Sequence, residues 1–263
     1  STGQALLQQF SHTPGKLLAL ELGGNNPLII SKVDDPLAAA YAIIQSAFIT
    51  SGQRCTCARR IILIKGNEEV LEKTIELTKK LKIGPYTDKD EPFMGPLVNE
   101  RAAINLITAQ ASMIGEGAIP LLKAIMDEEN NCFVTPAILD VTHSKNRKDE
   151  EIFGPFLQVI RVENIQEAIQ EANNTRFGLC AGIFTKNSHE WDLFRKQVRA
   201  GVLNWNTPLT GASSSAPFGG LGDSGNLRPS GYYAVDYCVY PAASIENQEI
   251  KIPQNPLPGV FLE

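Results

Sequence analysis

Two cysteines stand one residue apart in FITSGQRCTCARR, the stretch that covers residues 48–60. Structural zinc sites use Cys-x2-4-Cys spacing and two further ligands. Cys55 and Cys57 lack that spacing, and the three histidines of the chain are isolated in sequence. A redox pair is typically Cys-x-x-Cys at the start of a helix, whereas this pair follows a predicted helix. We therefore disfavour a redox pair and predict no metal site.

The two cysteines differ in their surroundings. Cys57 leads into an apolar run, and we interpret it as a small, inert core residue, the commonest fate of a free cysteine. Cys55 follows the polar run Gly-Gln-Arg, which is poor packing material. For Cys55 the alternatives of a core residue and a nucleophile therefore both stay open.

A nucleophilic cysteine needs a general base and donors for the oxyanion that forms on its substrate. The candidate base is Glu21, a lone carboxylate at the end of the apolar run LLALEL and beside Gly23-Gly24. Burial there would suit Glu21 to proton transfer. The alternative is a solvated glutamate at a strand end, and the residue pattern alone leaves both interpretations open.

The elements that position these residues alternate between strand and helix. Apolar runs predict strands at 17–22, 27–30, 59–65, 155–162, 179–185 and 201–206. Helical periodicity predicts helices at 34–48, 68–81, 100–114, 164–174 and 189–200. This alternation favours an α/β fold with an open, largely parallel twisted sheet flanked by helices.

The helix before the cysteines has a clear start. Asp35 fits its N-cap and Pro36 its first turn. We expect its buried face to hold Leu37, Tyr41, Ile44 and Phe48, which recur at helical spacing. The Gly-, Ser- and Pro-rich segment 207–230 is predicted to be a long functional loop.

Length, composition and charge exclude several classes of protein. The chain has 263 residues, of which 43% are hydrophobic and 20% charged, as is typical of a folded globular protein. A net charge of −5 argues against nucleic acid or an anionic membrane as the main partner. No apolar run reaches the roughly 18 residues that cross a bilayer, and an odd number of cysteines argues against a secreted disulfide framework. We expect a cytoplasmic protein whose partners include neither nucleic acid nor a membrane.

Five segments resemble motifs of the aldehyde dehydrogenase superfamily, in the same order along the chain. They are ALELGGNNP at 19–27, FITSGQRC at 48–55, EEIFGPF at 150–156, NNTRFGL at 173–179 and APFGGLGDSG at 216–225. The 34 positions between Glu21 and Cys55 match the family's spacing of base and nucleophile. The resemblance spans nearly the whole chain, and five ordered motifs are highly specific.

The resemblance implies a role for each matching residue. Cys55 would be the nucleophile that forms a thiohemiacetal with the aldehyde, and oxidation by NAD, with NADP as the alternative, would leave a thioester. Glu21 would activate the water that hydrolyses this thioester, and the Cys55 N–H would stabilise the oxyanion. Glu151 would bind the nicotinamide ribose and Phe153 would lie beside the nicotinamide ring. Gly3 would be the last glycine of a phosphate-side turn.

The family also implies a division of the chain. Its members are longer and carry an upstream dinucleotide-binding domain. We expect residues 1–22 to be a remnant of that domain, 23–238 to be the catalytic domain, and 239–263 to be a C-terminal arm with a possible oligomerisation strand. Without that upstream domain, we expect the 263 residues of this chain to bind NAD(P) weakly or not at all and to lack dehydrogenase activity. The full-length protein would be a homodimer or homotetramer.

Further segments resemble family members that oxidise a semialdehyde carrying two carboxylates, in bacterial arginine catabolism. They are NNPLII, QSAFITSGQRCTCARR, NWNTPLTGA and SGNLRPS. One carboxylate would meet N–H groups and hydroxyls of the loop Thr210, Gly211, Ala212 and Ser213. Arg54 would bind the second carboxylate, with a surface ion pair as the alternative. Other interpretations are a glutamate- or succinate-semialdehyde dehydrogenase, a cysteine-dependent acyl hydrolase, and a non-catalytic oligomerisation module.

Overall fold

A computed structural model describes residues 2–261 of the chain. Its helices are α1 Thr2–Phe10, α2 Pro36–Phe48, α3 Glu68–Thr78, α4 Glu100–Gly115, α5 Ile165–Asn173 and α6 Ser188–Gln197. Its main strands are β1 Pro27–Ile30, β2 Arg60–Ile64, β3 Ile119–Leu122, β4 Ala137–Asp140, β5 Phe156–Val162, β6 Cys180–Phe184 and β7 Val202–Trp205. Two short strands follow, β8 Pro217–Phe218 and β9 Ser230–Gly231. Short 3-10 turns cover Ile49–Gly52, Gly222–Ser224 and Tyr232–Tyr237.

The seven main strands form one sheet in the spatial order β3-β4-β5-β2-β1-β6-β7. Every neighbouring pair is parallel except β3 and β4, which are antiparallel. β8 and β9 pair separately as a small antiparallel hairpin. The predicted largely parallel sheet is confirmed.

Helices cover both faces of this sheet. Leu28 and Ile30 of β1 join the core cluster that contains Phe48 of α2, whereas Ile29 joins the cluster that contains Ala168 of α5. Successive side chains of a strand point to opposite faces, so β1 needs apolar residues at every position. This explains why the central strands are continuous apolar runs in the sequence.

The start of α2 is as predicted, but its buried face is partly different. The Asp35 carboxylate accepts hydrogen bonds from the N–H groups of Leu37 at 3.0 Å and Ala38 at 2.9 Å. Leu37 and Tyr41 are 55% and 68% exposed, so their predicted burial is wrong. The buried positions are Ala39, Ala40, Ile43, Ile44, Ser46, Ala47 and Phe48. Small residues and the larger Ile43, Ile44 and Phe48 together form the face that packs against the core.

Residues 17–22, predicted to be a strand, have irregular backbone. Within them Glu21 makes an isolated antiparallel bridge with Gly225. The side chain of Asn226 takes the place of a neighbouring strand, because it accepts from the Leu20 N–H at 2.9 Å and donates to the Leu18 carbonyl at 2.7 Å. The apolar run is therefore held in part by the side chain of Asn226.

The two terminal segments keep the status of predictions. Residues 239–261 contain no helix or strand, and residues 262 and 263 of the predicted arm lie outside the described part. The boundaries proposed at 22 and 238 likewise stay predictions. Within residues 2–261, none of the helices has the length and apolar character needed to span a membrane.

Candidate active site

The candidate residues gather at one edge of the sheet, where the chain enters its parallel strands. Glu21 lies on the segment before β1, Cys55 on the segment before β2, and Glu151 on the segment before β5. These three strands are parallel neighbours in the order β5-β2-β1. The amino ends of parallel strands share an edge, so the fold brings together three residues that are far apart in sequence.

A strained turn delivers the chain to Cys55. After α2 ends, Thr50, Ser51 and Gly52 have φ values of 55°, 54° and 67°. This left-handed region is costly for Thr and Ser, and such strain is kept where the surroundings fix it. Gly52 has no room for a side chain, because a Cβ there would overlap the carbonyl oxygen of Gly154. The turn therefore presses the Cys55 loop, residues 52–58, against the segment that carries Glu151.

The side chain of Asn26 anchors the Cys55 loop, and this role was not predicted from the sequence. Its Nδ2 donates to the carbonyls of Cys55 at 2.7 Å and Cys57 at 2.9 Å, and its Oδ1 accepts from the Cys180 N–H at 3.0 Å. The side chain is 1% exposed. Its signal in the sequence was a polar residue directly before a fully buried strand, which must find partners in the interior.

Cys57 is fully buried, which confirms its predicted core position. Its thiol lies 3.9 Å from the Ile49 carbonyl oxygen, and burial raises the pKa of the thiol. Among residues 2–261, no group of three or more His, Cys, Asp or Glu side chains is arranged to hold a metal ion. Cys55, in contrast, is only partly buried.

The surroundings of Cys55 oppose its ionisation. Burial raises the pKa of the Cys55 thiol, and the carboxylates of Glu151 and Glu21 raise that pKa further. Hydrogen bonding from the backbone N–H groups of Cys55 and Thr56 acts in the opposite direction and lowers that pKa. Donors in that position also suit an oxyanion that forms on a carbon bound to the sulfur.

This electrostatic arrangement predicts how neutralising each carboxylate changes the reactivity of Cys55. We expect Glu151→Gln to lower the pKa of the thiol most and Glu21→Gln to lower it less, because each removes a negative charge near the sulfur. The pH profile of alkylation by iodoacetamide, from about pH 6 to pH 10 in the cofactor-free protein, measures this pKa. Glu150→Gln, at an exposed neighbouring position, is the matched control and should leave the profile unchanged. A profile that is the same in all three variants would contradict the arrangement.

Glu21 is exposed, so of the two interpretations left open by the sequence the solvated glutamate is the one that the structure shows. The physical reason is that residues 17–22 form no strand of the sheet, although Leu20 among them is buried. Its backbone is fixed by the bridge to Gly225 and by the Leu22 N–H, which donates to the Ser224 carbonyl at 3.0 Å. Within residues 2–261 its carboxylate has no hydrogen-bond or ion-pair partner. Glu21 therefore presents an unpaired carboxylate on the Cys55 side of the molecule.

Glu151 lies directly against the glycines that follow Glu21. The Gly24 N–H donates to its carboxylate, and a Cβ on Gly23 would overlap its Oε2. Burial raises the pKa of Glu151, while Arg59, whose Nη2 lies 3.4 Å from its Oε1, acts in the opposite direction. The absence of a side chain at Gly23 is thus what lets Glu151 reach the Cys55 loop.

Glu151 and Phe153 fit one end of a nicotinamide nucleotide. A carboxylate can accept hydrogen bonds from the two ribose hydroxyls, and the Phe153 ring, which is 45% exposed, offers a flat surface to a flat ring. Gly3 lies in the first turn of α1 and packs against Leu22. A helix N-terminus suits phosphate, and the role of Gly3 there stays a prediction.

The loop predicted to bind a carboxylate adjoins the helix that leads to Cys55. The Leu209 N–H donates to Ser46 Oγ at 3.2 Å, and Thr210 Oγ1 donates to the Gln45 carbonyl at 3.5 Å. No hydrogen bond within residues 2–261 uses the backbone N–H groups of positions 210–213. Gly211 has φ 116°, a conformation that favours glycine. The loop therefore offers four unused donors.

Arg54 is exposed, and its charge lowers the pKa of the Cys57 thiol. Its Nε donates to Thr50 Oγ1 at 2.9 Å. The guanidinium therefore lies along the strained turn that precedes Cys55 and keeps its remaining donors for solvent or a ligand. A substrate-binding role for Arg54 stays a prediction.

The sequence matches known proteins over most of its length. The family model described as "Aldehyde dehydrogenase family" matches residues 1–242. The chain is 48% identical over 263 residues to the N-succinylglutamate 5-semialdehyde dehydrogenase of Ectopseudomonas mendocina (strain ymp). That match covers 99% of this chain and 54% of the relative.

Solved structures share the fold. Aldehyde dehydrogenase 21 from Physcomitrella patens, in complex with the reaction product succinate, has a TM-score of 0.78 at 28% identity, over 89% of this chain and 48% of its own. The 1-pyrroline-5-carboxylate dehydrogenase from Thermus with bound NAD has a TM-score of 0.76 at 32% identity, over 85% of this chain and 44% of its own. The chain spans about half the length of these proteins. Since the family model matches most of its residues, the chain belongs to the aldehyde dehydrogenase family.

Proposed function

We propose that the full native protein oxidises N-succinylglutamate 5-semialdehyde to N-succinylglutamate with NAD, or NADP as the alternative, as its nicotinamide cofactor. The observation that carries this proposal is the meeting of Glu21, Cys55 and Glu151 at the edge shared by β1, β2 and β5. The relative of that name, 48% identical along 99% of this chain, supports the choice of substrate. The corresponding pathway is arginine catabolism by the succinyl route.

The residues of this chain divide the reaction between them. Cys55 loses its thiol proton to solvent, and Sγ adds to the aldehyde carbon to form a thiohemiacetal whose oxyanion the backbone N–H groups of Cys55 and Thr56 stabilise. A bound nicotinamide cofactor would supply the acceptor for the hydride of that carbon. Glu151 would accept hydrogen bonds from the ribose hydroxyls of that cofactor, and Phe153 would lie beside its nicotinamide ring. The acyl group is then a thioester on Cys55.

Hydrolysis of the thioester needs a base that can take a proton from water. Two carboxylates act on the Cys55 thiol, and one of them, Glu151, is paired with Arg59 and the Gly24 N–H. Glu21 has no such partner within residues 2–261, so it is the carboxylate with free lone pairs. Glu21 therefore takes the proton of the attacking water and the carboxylic acid leaves Cys55.

The substrate carries two carboxylates besides its aldehyde, which calls for two anion sites. The four unused N–H groups of 210–213 provide one, and the geometry of Gly211 keeps that backbone open. Arg54 provides the second as a charge-assisted donor. Glutamate- and succinate-semialdehyde carry fewer anionic groups and would leave one of these sites empty.

Substrate preference and one variant test this assignment together. We expect the highest kcat/KM for the succinylated semialdehyde. We also expect Arg54→Ala to raise its KM by about tenfold, because a hydrogen bond to a charged group is lost. The KM for a neutral aliphatic aldehyde should stay unchanged. Arg195→Ala, at an exposed arginine of α6, is the control.

Two results would change the assignment. Equal effects of Arg54→Ala on both aldehydes would remove Arg54 from the substrate site. A higher kcat/KM for glutamate or succinate semialdehyde would replace the proposed substrate.

The remaining features of the full protein follow the family resemblance. We propose that it acts in the cytoplasm and assembles as a homodimer or homotetramer, with residues 239–263 as the arm that contacts another subunit. We also propose that residues 23–238 form the catalytic domain and that 1–22 belong with the cofactor-binding half. The exposed apolar side chains of the arm, such as Ile245 and Ile252, support burial against a partner.

A further inference from the structure

Arg59 is a buried arginine beside the Cys55 loop that belongs to none of the five family motifs. Its Nη1 donates to the carbonyls of Gly52 at 2.7 Å and Gly154 at 3.2 Å. Its Nη2 donates to the Arg54 carbonyl at 3.0 Å and to Glu151 Oε1 at 3.4 Å. The side chain is 2% exposed. The two end groups of one guanidinium thus donate hydrogen bonds to four acceptors.

These acceptors belong to two separate parts of the candidate site. Gly52 and Arg54 lie on the chain that leads into Cys55, whereas Glu151 and Gly154 lie on the segment before β5. The guanidinium carbon also lies 5.3 Å from the centre of the Phe153 ring. Arg59 therefore contacts the nucleophile loop and both residues that face the cofactor.

The neighbouring Arg60 is buried in a different setting. Its Nε donates to the Asn25 carbonyl at 2.9 Å, and its end groups donate to the carbonyls of Glu171 and Ala172 at 2.9 and 3.0 Å. Burial lowers its pKa to about 10. Arg60 thus anchors β2 to the end of α5, and its bonds reach neither Glu151 nor Phe153. Arg59 therefore contacts residues of the candidate site, whereas Arg60 contacts only the surrounding fold.

We propose that Arg59 is a positioning residue that holds the Glu151 carboxylate and the Phe153 ring at one fixed distance from the Cys55 loop, and so prepares the nicotinamide end of the cofactor site. The inference rests on the proposed function. A planar guanidinium with donors on both end groups can serve four acceptors in two segments, which a lysine cannot. The buried charge is matched by the Glu151 carboxylate, so the ion pair also keeps that group in place.

A double-mutant cycle in the full native protein tests the proposal. Arg59→Lys and Glu151→Gln are each expected to weaken NAD binding, measured by calorimetry without substrate, by about tenfold. If Arg59 acts through Glu151, Arg59→Lys should add less than about a twofold loss in the Glu151→Gln background. Arg60→Lys is the control, and it should lower Tm but leave the NAD affinity unchanged.

Several results would overturn the proposed role of Arg59. Unchanged NAD affinity in Arg59→Lys, a full tenfold loss again in the Glu151→Gln background, or an equal loss in Arg60→Lys would overturn the proposal. If Arg59→Lys does not fold, Glu151→Asp serves instead, because it withdraws the carboxylate from Arg59 and keeps the charge. Wild-type affinity in Glu151→Asp would overturn the proposal too. If the wild-type protein binds neither NAD nor NADP, the proposed function fails together with this inference.

Discussion

Replacing Cys55 by serine is expected to lower kcat for aldehyde oxidation by about 10^4-fold or more, because a hydroxyl is a far weaker nucleophile at neutral pH. Cys57→Ser is the matched control, since it makes the same change two positions away at a side chain with 0% exposure. Cys57→Ser should retain kcat in the folded protein and lower Tm, because a hydroxyl enters an apolar interior. Steady-state kinetics and thermal unfolding of both variants measure the difference.

The same pair of variants separates the proposed function from the alternative of an acyl hydrolase. A dehydrogenase and an acyl hydrolase would both form a thioester on Cys55, so p-nitrophenyl acetate hydrolysis should depend on Cys55 and not on Cys57. Only a dehydrogenase converts an aldehyde to an acid with reduction of NAD or NADP. Ester hydrolysis without aldehyde oxidation in the full native protein would favour the hydrolase. Equal loss of activity in Cys57→Ser and Cys55→Ser would contradict the assignment of the nucleophile.

The centre of the sheet could be predicted from the sequence because strands covered on both faces are continuous apolar runs. β1 and β2 are buried at every position and were recognised on that basis. The two strands at one edge of the sheet, β3 and β4, were not predicted. β3 contains Pro120 and a register shift between Pro120 and Leu122, and both features weaken the pattern of a strand.

An apolar run is not sufficient to make a strand, as residues 17–22 show. Their backbone groups are served partly by the side chain of Asn226, more than 200 positions away in sequence. No pattern in the neighbouring sequence indicates such a distant partner. The exposure of Glu21 has the same cause, since the burial considered for it depended on a strand that does not form.

The motifs predicted which residues would meet, but not what holds them. Cys55, Glu21 and Glu151 could be anticipated because the family resemblance names all three, and the structure places each shortly before a strand of the parallel sheet. Asn26 and Arg59 could not, because most of their partners are backbone groups, which carry no residue-type signature. The bond from Arg59 to the Gly154 carbonyl, for example, spans 95 positions. The supporting residues of the site are visible only in three dimensions.

The second large effect is expected for Glu21→Gln, which should lower steady-state kcat by about 10^2- to 10^4-fold through slow hydrolysis of the thioester. The attack of Cys55 should be unimpaired, because removing the Glu21 charge lowers the pKa of the thiol that it raises. The first turnover therefore stays fast while later turnovers become slow. Rapid-mixing kinetics should show a burst of reduced cofactor equal to the concentration of sites, and mass spectrometry should find an acyl group on Cys55.

The burst distinguishes a base for water from a base for the thiol. If Glu21 instead deprotonates Cys55, Glu21→Gln would abolish the burst and slow alkylation of Cys55 at neutral pH. The exposed position of Glu21 favours the role at water, since a surface carboxylate with no partner among residues 2–261 has direct access to solvent. Glu150→Gln, which removes an exposed carboxylate one residue from Glu151, should leave both the burst and the steady-state rate unchanged.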